Sequence, residues 1–253
     1  MTMLELKGVC KEFGGLRAVD DVTLSLTRGA ITGLIGPNGA GKTTLFNTIA
    51  GALAPSSGSI LFDGQEISGK APHQIYRSGI ARTFQIPRPF GALSVLENVM
   101  LAPLGQSGEK WWNTLVRPGR VRQEEQVNRD KAVKILDFLN LTRLADEPAR
   151  NLSGGQLKLL ELGRTLMSDP QLILLDEPGA GVNPTLLGQI IERIVELNRR
   201  GITFLIIEHN MDMVMNLCSP VVVMASGRLL MQGSPQQVRR DPRVLDAYLG
   251  GGS

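Results

Sequence analysis

Residues 31–44 read Ile31-Thr32-Gly33-Leu34-Ile35-Gly36-Pro37-Asn38-Gly39-Ala40-Gly41-Lys42-Thr43-Thr44. The short, largely apolar run predicts a buried strand, and the glycines after it predict a loop. Lys42 to Ala52 then places Leu45, Ile49 and Ala52 at helical spacing. Strand, loop and helix are the setting that the pattern G-x-x-x-x-G-K-[ST] requires. Gly39 and Gly41 let the backbone curl until successive N–H groups converge on phosphate oxygens. The helix starting near Lys42 adds the positive end of its dipole. Lys42 is expected on the β- and γ-phosphates, and the Thr43 hydroxyl on Mg2+. Gly36, Pro37, Asn38, Gly39, Ala40, Gly41, Lys42, Thr43 and Thr44 are the expected nucleotide loop. The plain alternative, a glycine-rich turn, is disfavoured by the flanking strand and helix.

Further along, Leu172-Ile173-Leu174-Leu175-Asp176-Glu177 is an apolar strand ending in two acids. Open parallel sheets place their chemistry at the carboxyl ends of strands. Asp176 is suited to hold Mg2+, directly or through water. Glu177, one residue on, is suited to polarise an attacking water as general base. A strand-end turn with two solvated acids is the bland alternative. Together the two sites indicate a phosphate-loop NTPase, without separating a transport ATPase from a kinase, a GTPase or a DNA motor.

The rest of the chain arranges itself around them. Met3 to Val9 and Val22-Leu24-Leu26 alternate with period two, Ser59 to Phe62 precedes an Asp63-Gly64 turn, and Ile80 to Phe84 is a further strand. From about Ser94 to Met167 the pattern turns helical, with Val127, Val133, Ile135, Leu136 and Leu139 at helical spacings on Val121 to Leu139. After Pro170 strands and helices alternate: Leu172 to Leu175, Pro184 to Arg199, Ile202 to Ile207, Asn210 to Leu217. A hairpin follows around Ser226-Gly227. The expected fold is α/β: a mostly parallel sheet core, an antiparallel β subdomain and a helical insertion. It is read as a single domain over 1–253, with the nucleotide-binding core in 1–89 and 166–253 and the helical lobe in 90–165.

Composition excludes several classes. Lys and Arg number 27 against 24 Asp and Glu, a net charge of +3, with no basic block and only 4% aromatics. Nucleic acid is therefore not an expected partner. The longest apolar run, Val221 to Ala225, has five residues, where a spanning helix needs roughly 20. No signal peptide is read at the N-terminus. Cys10 and Cys218 stand far apart and are read as small core residues in a reducing compartment. Trp111 and Trp112 are read as partly buried on the helical lobe, and His73 as exposed.

Leu152-Ser153-Gly154-Gly155-Gln156, followed by a helix carrying Leu159, Leu162 and Leu166, narrows the reading. Physically it suits a second phosphate clamp: a hydroxyl, two glycines and a helix N-terminus. A simple N-cap at Ser153 is the alternative. The pentapeptide resembles the signature motif of ATP-binding cassette (ABC) proteins, and the chain throughout is most similar to the ATP-binding subunits of branched-chain amino acid importers. The similarity runs through Gly15 to Gly51, Thr83 to Ala102, DEPGAGVNP from Asp176, IEHNMDMVM from Ile207 and VLDAYLG from Val244. It implies that Phe13 stacks on adenine and that Gln85 touches Mg2+ and senses the membrane partner. It also implies that His209 contacts the γ-phosphate and that the signature closes the nucleotide of a second subunit. Asn183 stands in the dimer loop where Asp is commoner in the wider family. The groove near Ile86, Pro87, Pro89 and Phe90 is the expected docking place of a permease helix, with ordinary interlobe packing as the alternative.

One phosphate loop and one signature, with no internal repeat, imply pairing with a copy or a close relative. The resemblance thus implies ATP and Mg2+ as cofactors, a second cassette subunit, an integral-membrane permease and, indirectly, a substrate-binding protein. It implies a peripheral place on the cytoplasmic face of the inner membrane, soluble when isolated. Urea or amide uptake and lipopolysaccharide export are alternatives within the family. A soluble cassette ATPase acting on DNA or ribosomes is the alternative of another class, disfavoured by the absence of a second cassette or a long coiled coil. A nucleotide sensor without turnover is disfavoured by Glu177 and His209.

Overall fold

Residues 1–83, 88–103 and 118–249 are described by the computed structural model. Gln85, Ile86, Pro87, Trp111 and Trp112, singled out above, lie outside the described residues, as does the strand end at Phe84. The chain forms two compact units: Met1–Gln85, Gln171–Ala180 and Ile191–Ser253 in one, Ile86–Pro170 and Gly181–Ile190 in the other.

The first unit holds two sheets. β1 (Thr2–Phe13) and β2 (Leu16–Thr27) form an antiparallel hairpin, and β1 also pairs with β4 (Ser57–Phe62), which pairs with β5 (Gln65–Glu66). On β2, Val22, Leu24 and Leu26 are buried while Asp21, Thr23 and Ser25 are exposed, the alternation of a sheet with one wet face. The second sheet runs β10-β9-β3-β8-β7-β6. Its strands are β3 (Ile31–Ile35), β6 (Ile80–Arg82), β7 (Leu172–Asp176), β8 (Thr203–Ile207), β9 (Val221–Ala225) and β10 (Arg228–Gly233). All pairs are parallel except β9–β10. Every residue of β3, β7 and β8 is buried, as a parallel sheet covered on both faces demands. The β9–β10 turn has φ 47° at Ser226 and 79° at Gly227, the double positive φ of a type I′ hairpin.

Helix α1 (Lys42–Ile49) turns Leu45, Phe46 and Ile49 into a core shared with Leu6, Val22 and Leu24 of the antiparallel sheet and Leu34, Leu174 and Leu205 of the parallel one. This unit also carries α2 (Pro72–Arg77) and α7 (Met211–Leu217). Two further helices, α8 (Pro235–Arg240) and α9 (Pro242–Leu249), are absent from the sequence reading. His73, on α2, is exposed.

The second unit packs α3 (Val95–Met100), α4 (Pro118–Phe138) and α5 (Gly154–Leu166) together. Its buried stripe on and beyond α4 is Ala132, Leu136 and Leu139; Val127 and Val133, expected on that face, are exposed. The side chains placed against Gly163 of α5 are those of Ile135 and Leu139, which lie on a different side of α4 from Val127 and Val133. Ser94 and Glu97 form a reciprocal capping box on α3, the S-x-x-E signature. Helix α6 (Pro184–Arg199) begins in this unit and ends in the other.

The cysteine reading needs one correction. Cys218 is buried, but Cys10 is only partly so, and its sulfur accepts the Asp21 N–H at 3.2 Å on a bulged stretch of β1. Burial, reinforced by the charge of Glu208, pushes the Cys218 thiol up to about 12. The folded state therefore keeps a proton that the unfolded chain releases from about pH 9, so stability falls as pH rises from 9 toward 12. At about pH 8 one thiol per native chain, Cys10, is expected to react with a disulfide reagent, and Cys218 only after unfolding. Two equivalents reacting at one rate in the native protein would contradict this placement.

Candidate functional site

The site is set by strand register. Leu34 of β3 lies opposite Ile207 of β8, and Ile207 lies opposite Asp176 of β7. Three adjacent parallel strands thus end at one level, at their carboxyl ends, where such sheets bind ligands. The nucleotide loop leaves β3, Glu177 follows β7, and Glu208-His209 follows β8.

The loop is shaped by close approach. A Cβ on Gly36 would lie 2.1 Å from the Met224 carbonyl oxygen, and one on Gly41 would lie 2.2 Å from that of Ala18. Asn38, Gly39 and Thr43 are exposed, whereas Ala40 and Lys42 are buried. The Lys42 ammonium donates to the carbonyls of Gly36 at 2.8 Å and Pro37 at 2.9 Å. Burial lowers its pKa, while the negative charges of Glu177 and Asp176 push it back up. The lysine thus senses both carboxylates.

Asp176 is 5% exposed. Its Oδ2 accepts from Arg82 of β6 at 3.0 Å, and its backbone N–H donates to the Thr83 hydroxyl at 3.5 Å. Arg82 also donates to Asn47 of α1. Glu177 has φ 47°, a left-handed conformation that costs a non-glycine residue about 1–3 kcal/mol. Its N–H donates to the Ile207 carbonyl at 2.9 Å, and its Oε1 lies 3.1 Å from His209 Nε2. Lys42, Asp176, Glu177 and His209 are therefore brought together in one unit.

The residues fit a nucleoside triphosphate with a small hard cation. The loop is a cradle that side chains would fill, and the oxygens offered are an exposed hydroxyl at Thr43 and a carboxylate at Asp176. Among the described residues no group of three or more His, Cys, Asp or Glu is arranged to hold a metal ion. A cation here would complete its shell with water and substrate oxygens, the habit of Mg2+.

Phe13 ends β1 with its ring 45% exposed and the Lys11 ammonium 5.2 Å from the ring centroid. Gln85 lies outside the described residues, so nothing is placed there. In the second unit, Leu152 is buried, Gly154 is open, and Gly155 packs so closely that an added Cβ would lie 2.0 Å from Leu186 Cδ2. Ser153 Oγ accepts the Gln156 N–H at 3.4 Å while Gln156 Oε1 accepts the Ser153 N–H at 2.8 Å. The N-cap weighed as an alternative is thus present, as one half of a capping box. Asn183 caps α6, its Oδ1 accepting the Leu186 N–H at 2.9 Å, a job Asn does as well as Asp. Ser153, Gln156 and Asn183 line one cavity of about 490 Å³.

Sequence reasoning missed Arg82, Glu208 and Tyr248. Tyr248, on α9, shares a cavity of about 620 Å³ with Ile35, His209 and Met215. Burial raises its pKa, and the Gly36 N–H directed at its hydroxyl holds that rise back. The stretch carrying Tyr248 was legible only as a resemblance, since nothing local says what a terminal amphipathic helix covers.

The comparisons agree with this geometry. The ABC transporter family model matches residues 19–180, and that of branched-chain amino acid ATP-binding cassette transporters matches 228–253. A probable branched-chain amino acid transport ATP-binding protein, LivG, of Archaeoglobus fulgidus is 44% identical over 99% of this chain and 96% of its own. The high-affinity LivG of Escherichia coli K12 is 39% identical, covering 98% of each. Among solved structures, a nucleotide-free ATP-binding cassette from an ABC transporter superposes with TM-score 0.86 at 40% identity, covering 98% of this chain and 99% of that one. An ADP-bound cassette gives TM-score 0.84 at 39% identity, with 99% of each covered. The chain belongs to the ABC transporter family, as an ATP-hydrolysing subunit close to those of branched-chain amino acid transporters.

Proposed function

We propose that the chain is one of two cassettes driving a membrane permease that imports branched-chain or related amino acids. The observation that carries the chemistry is the common level of Leu34, Ile207 and Asp176, which sets Lys42, Glu177 and His209 around one place. The names of the relatives support the cargo. Domain limits follow the sequence reading: one cassette over 1–253, with 90–165 as the signature lobe.

In this reading the backbone N–H groups between Asn38 and Thr44 and the Lys42 ammonium take the phosphate oxygens of ATP, with Phe13 beneath the base. Thr43 and Asp176, with Gln85, would hold Mg2+, which when bound neutralises charge on the β- and γ-phosphate oxygens. Glu177 orients a water and accepts its proton. His209, 3.1 Å from the Glu177 carboxylate, steadies that carboxylate and reaches the γ-phosphate. Charge that develops there is met by Lys42 and by Ser153 of the second cassette. The Leu152-Ser153-Gly154-Gly155-Gln156 segment thus acts in trans, with Asn183 at the dimer loop. ATP binds the closed pair better than the open pair and so shifts the population toward closure.

The permease reading is supported by a presented side chain. Phe90 is 56% exposed, yet its backbone is fixed, its N–H donating to Asn98 Oδ1 at 2.9 Å and its carbonyl accepting from Asn98 Nδ2 at 3.1 Å. Asn98 is fully buried. The fixed, exposed ring suits a membrane partner on the cytoplasmic face. No helix among the described residues is long and apolar enough to cross a membrane.

Two outcomes test this. Glu177→Gln should abolish turnover and trap an ATP-bound dimer, seen by size-exclusion chromatography; normal turnover would remove Glu177 as base. Mild solubilisation of host membranes should co-purify a multi-span protein and a second cassette with the tagged chain, and recovery of soluble proteins or ribosomes alone would sink the transport reading. Asp176→Ala also carries a stability signature, because it leaves Arg82 charged and 15% exposed without its carboxylate. Breaking such a buried pair costs about 3–5 kcal/mol, measurable by urea denaturation without nucleotide. A loss under about 1 kcal/mol would mean the pair is solvated like a surface one.

A further inference from the structure

Glu208 lies between β8 and His209 and is 3% exposed. Its two carboxylate oxygens accept three backbone N–H groups. Oε1 takes Gly179 at 2.6 Å, and Oε2 takes His209 at 2.9 Å and Asn210 at 3.1 Å. Gly179 stands two residues after Glu177. The carboxylate therefore spans the two turns that carry the acid and the histidine of the site. A fourth bond, from the Glu177 N–H to the Ile207 carbonyl, joins the same turns from the other side. Beyond His209, Asn210 Oδ1 accepts the Met213 N–H at 3.0 Å and so anchors the second turn to α7.

The residue type matters. A carboxylate is an acceptor at both oxygens, so it can receive N–H groups from two loops at once. An amide of the same shape has one accepting end and one donating end, and the donating end would face a backbone N–H. Turn satisfaction alone would need a carboxylate contact with one loop only. Here the contact is shared, and each loop carries a side chain whose partner, 3.1 Å away, is on the other.

We propose that Glu208 is a positioning residue for ATP hydrolysis: by clamping the Glu177 turn to the His209 turn it delivers the two side chains as one body. The proposal rests on the reading of Glu177 and His209 given above. In it Glu208 acts through those two groups.

The test uses the purified full chain with Mg-ATP and the variants Glu208→Gln, His209→Ala, their double, and Glu177→Gln. Glu208→Gln is expected to lower kcat by about tenfold to a hundredfold, the scale of a misplaced catalytic group, with KM for ATP nearly unchanged and the melting temperature lowered by the buried N–H that loses its acceptor. In the His209→Ala background the further loss should be much smaller than in the parent, because residues acting as a unit are not additive. Unchanged turnover, a rise in KM alone, or losses that multiply in the double variant would each overturn the clamp. If Glu208→Gln unfolds the chain, Glu208→Asp, which keeps both acceptors on a shorter stem, is read by the same criteria. If Glu177→Gln and His209→Ala themselves turn over normally, the reading of the site has failed rather than the clamp.

Discussion

Everything at the nucleotide site depends on the register of three parallel strands. β3, β8 and β7 are paired so that Leu34, Ile207 and Asp176 stand at one level. The side-chain period of a strand is two, so a slip of one residue would turn Asp176 to the opposite face and bring Leu175 into its place. That slip is resisted on both faces, since all fifteen residues of the three strands are buried. The apolar core therefore fixes the geometry of the candidate site without supplying any of its polar groups. The left-handed turn at Glu177 and the close approaches at Gly36 and Gly41 are local strains that this rigid frame can hold.

The same frame concentrates charge. Asp176 ends one strand, Glu177 and Glu208 follow it and its neighbour, and each of the three has a different counterpart. Arg82 takes Asp176, His209 faces Glu177, and three backbone N–H groups take Glu208. Lys42 responds to the first two, which offset part of the burial that lowers its pKa. The carboxylates thus help to keep a desolvated ammonium charged, as the proposed contact with phosphate requires. A loop of N–H groups alone would bind phosphate with its dipoles; the lysine adds a full charge that burial would otherwise weaken.

Much of this was legible in the sequence, for identifiable reasons. The limits of α6 match the sequence reading because a strongly amphipathic helix that starts at a proline announces its ends. The roles expected of Lys42, Asp176, Glu177 and His209 fall on residues that the fold brings together. What escaped is tertiary. Val127 and Val133 have helical spacing yet are exposed, while Ala132 and Leu136 are buried. Glu208 was passed over because a lone acid after a strand is indistinguishable from a solvated one until Gly179 is folded against it. Helices α8 and α9 are short, and their proline starts read locally as loops.

The signature segment shows why a structural and a functional reading need not compete. Ser153 caps α5 by accepting a backbone N–H, and that bond uses only an oxygen lone pair. The hydroxyl proton is not consumed by the cap, so the same oxygen can cap the helix and donate to a phosphate. Gln156 uses its carbonyl oxygen in the reciprocal bond, and its amide N–H groups take no part in that bond. Gly155 is fixed by Leu186 rather than by a ligand, which locks the helix start against the segment that follows Asn183. Under the proposed function, a donor held this way would arrive at a second cassette already oriented, and orientation settled in the free chain is not charged against the closed state. In the proposed reading the N-cap preorganises the clamp, and the exposed glycine beside it, Gly154, leaves room for a phosphate.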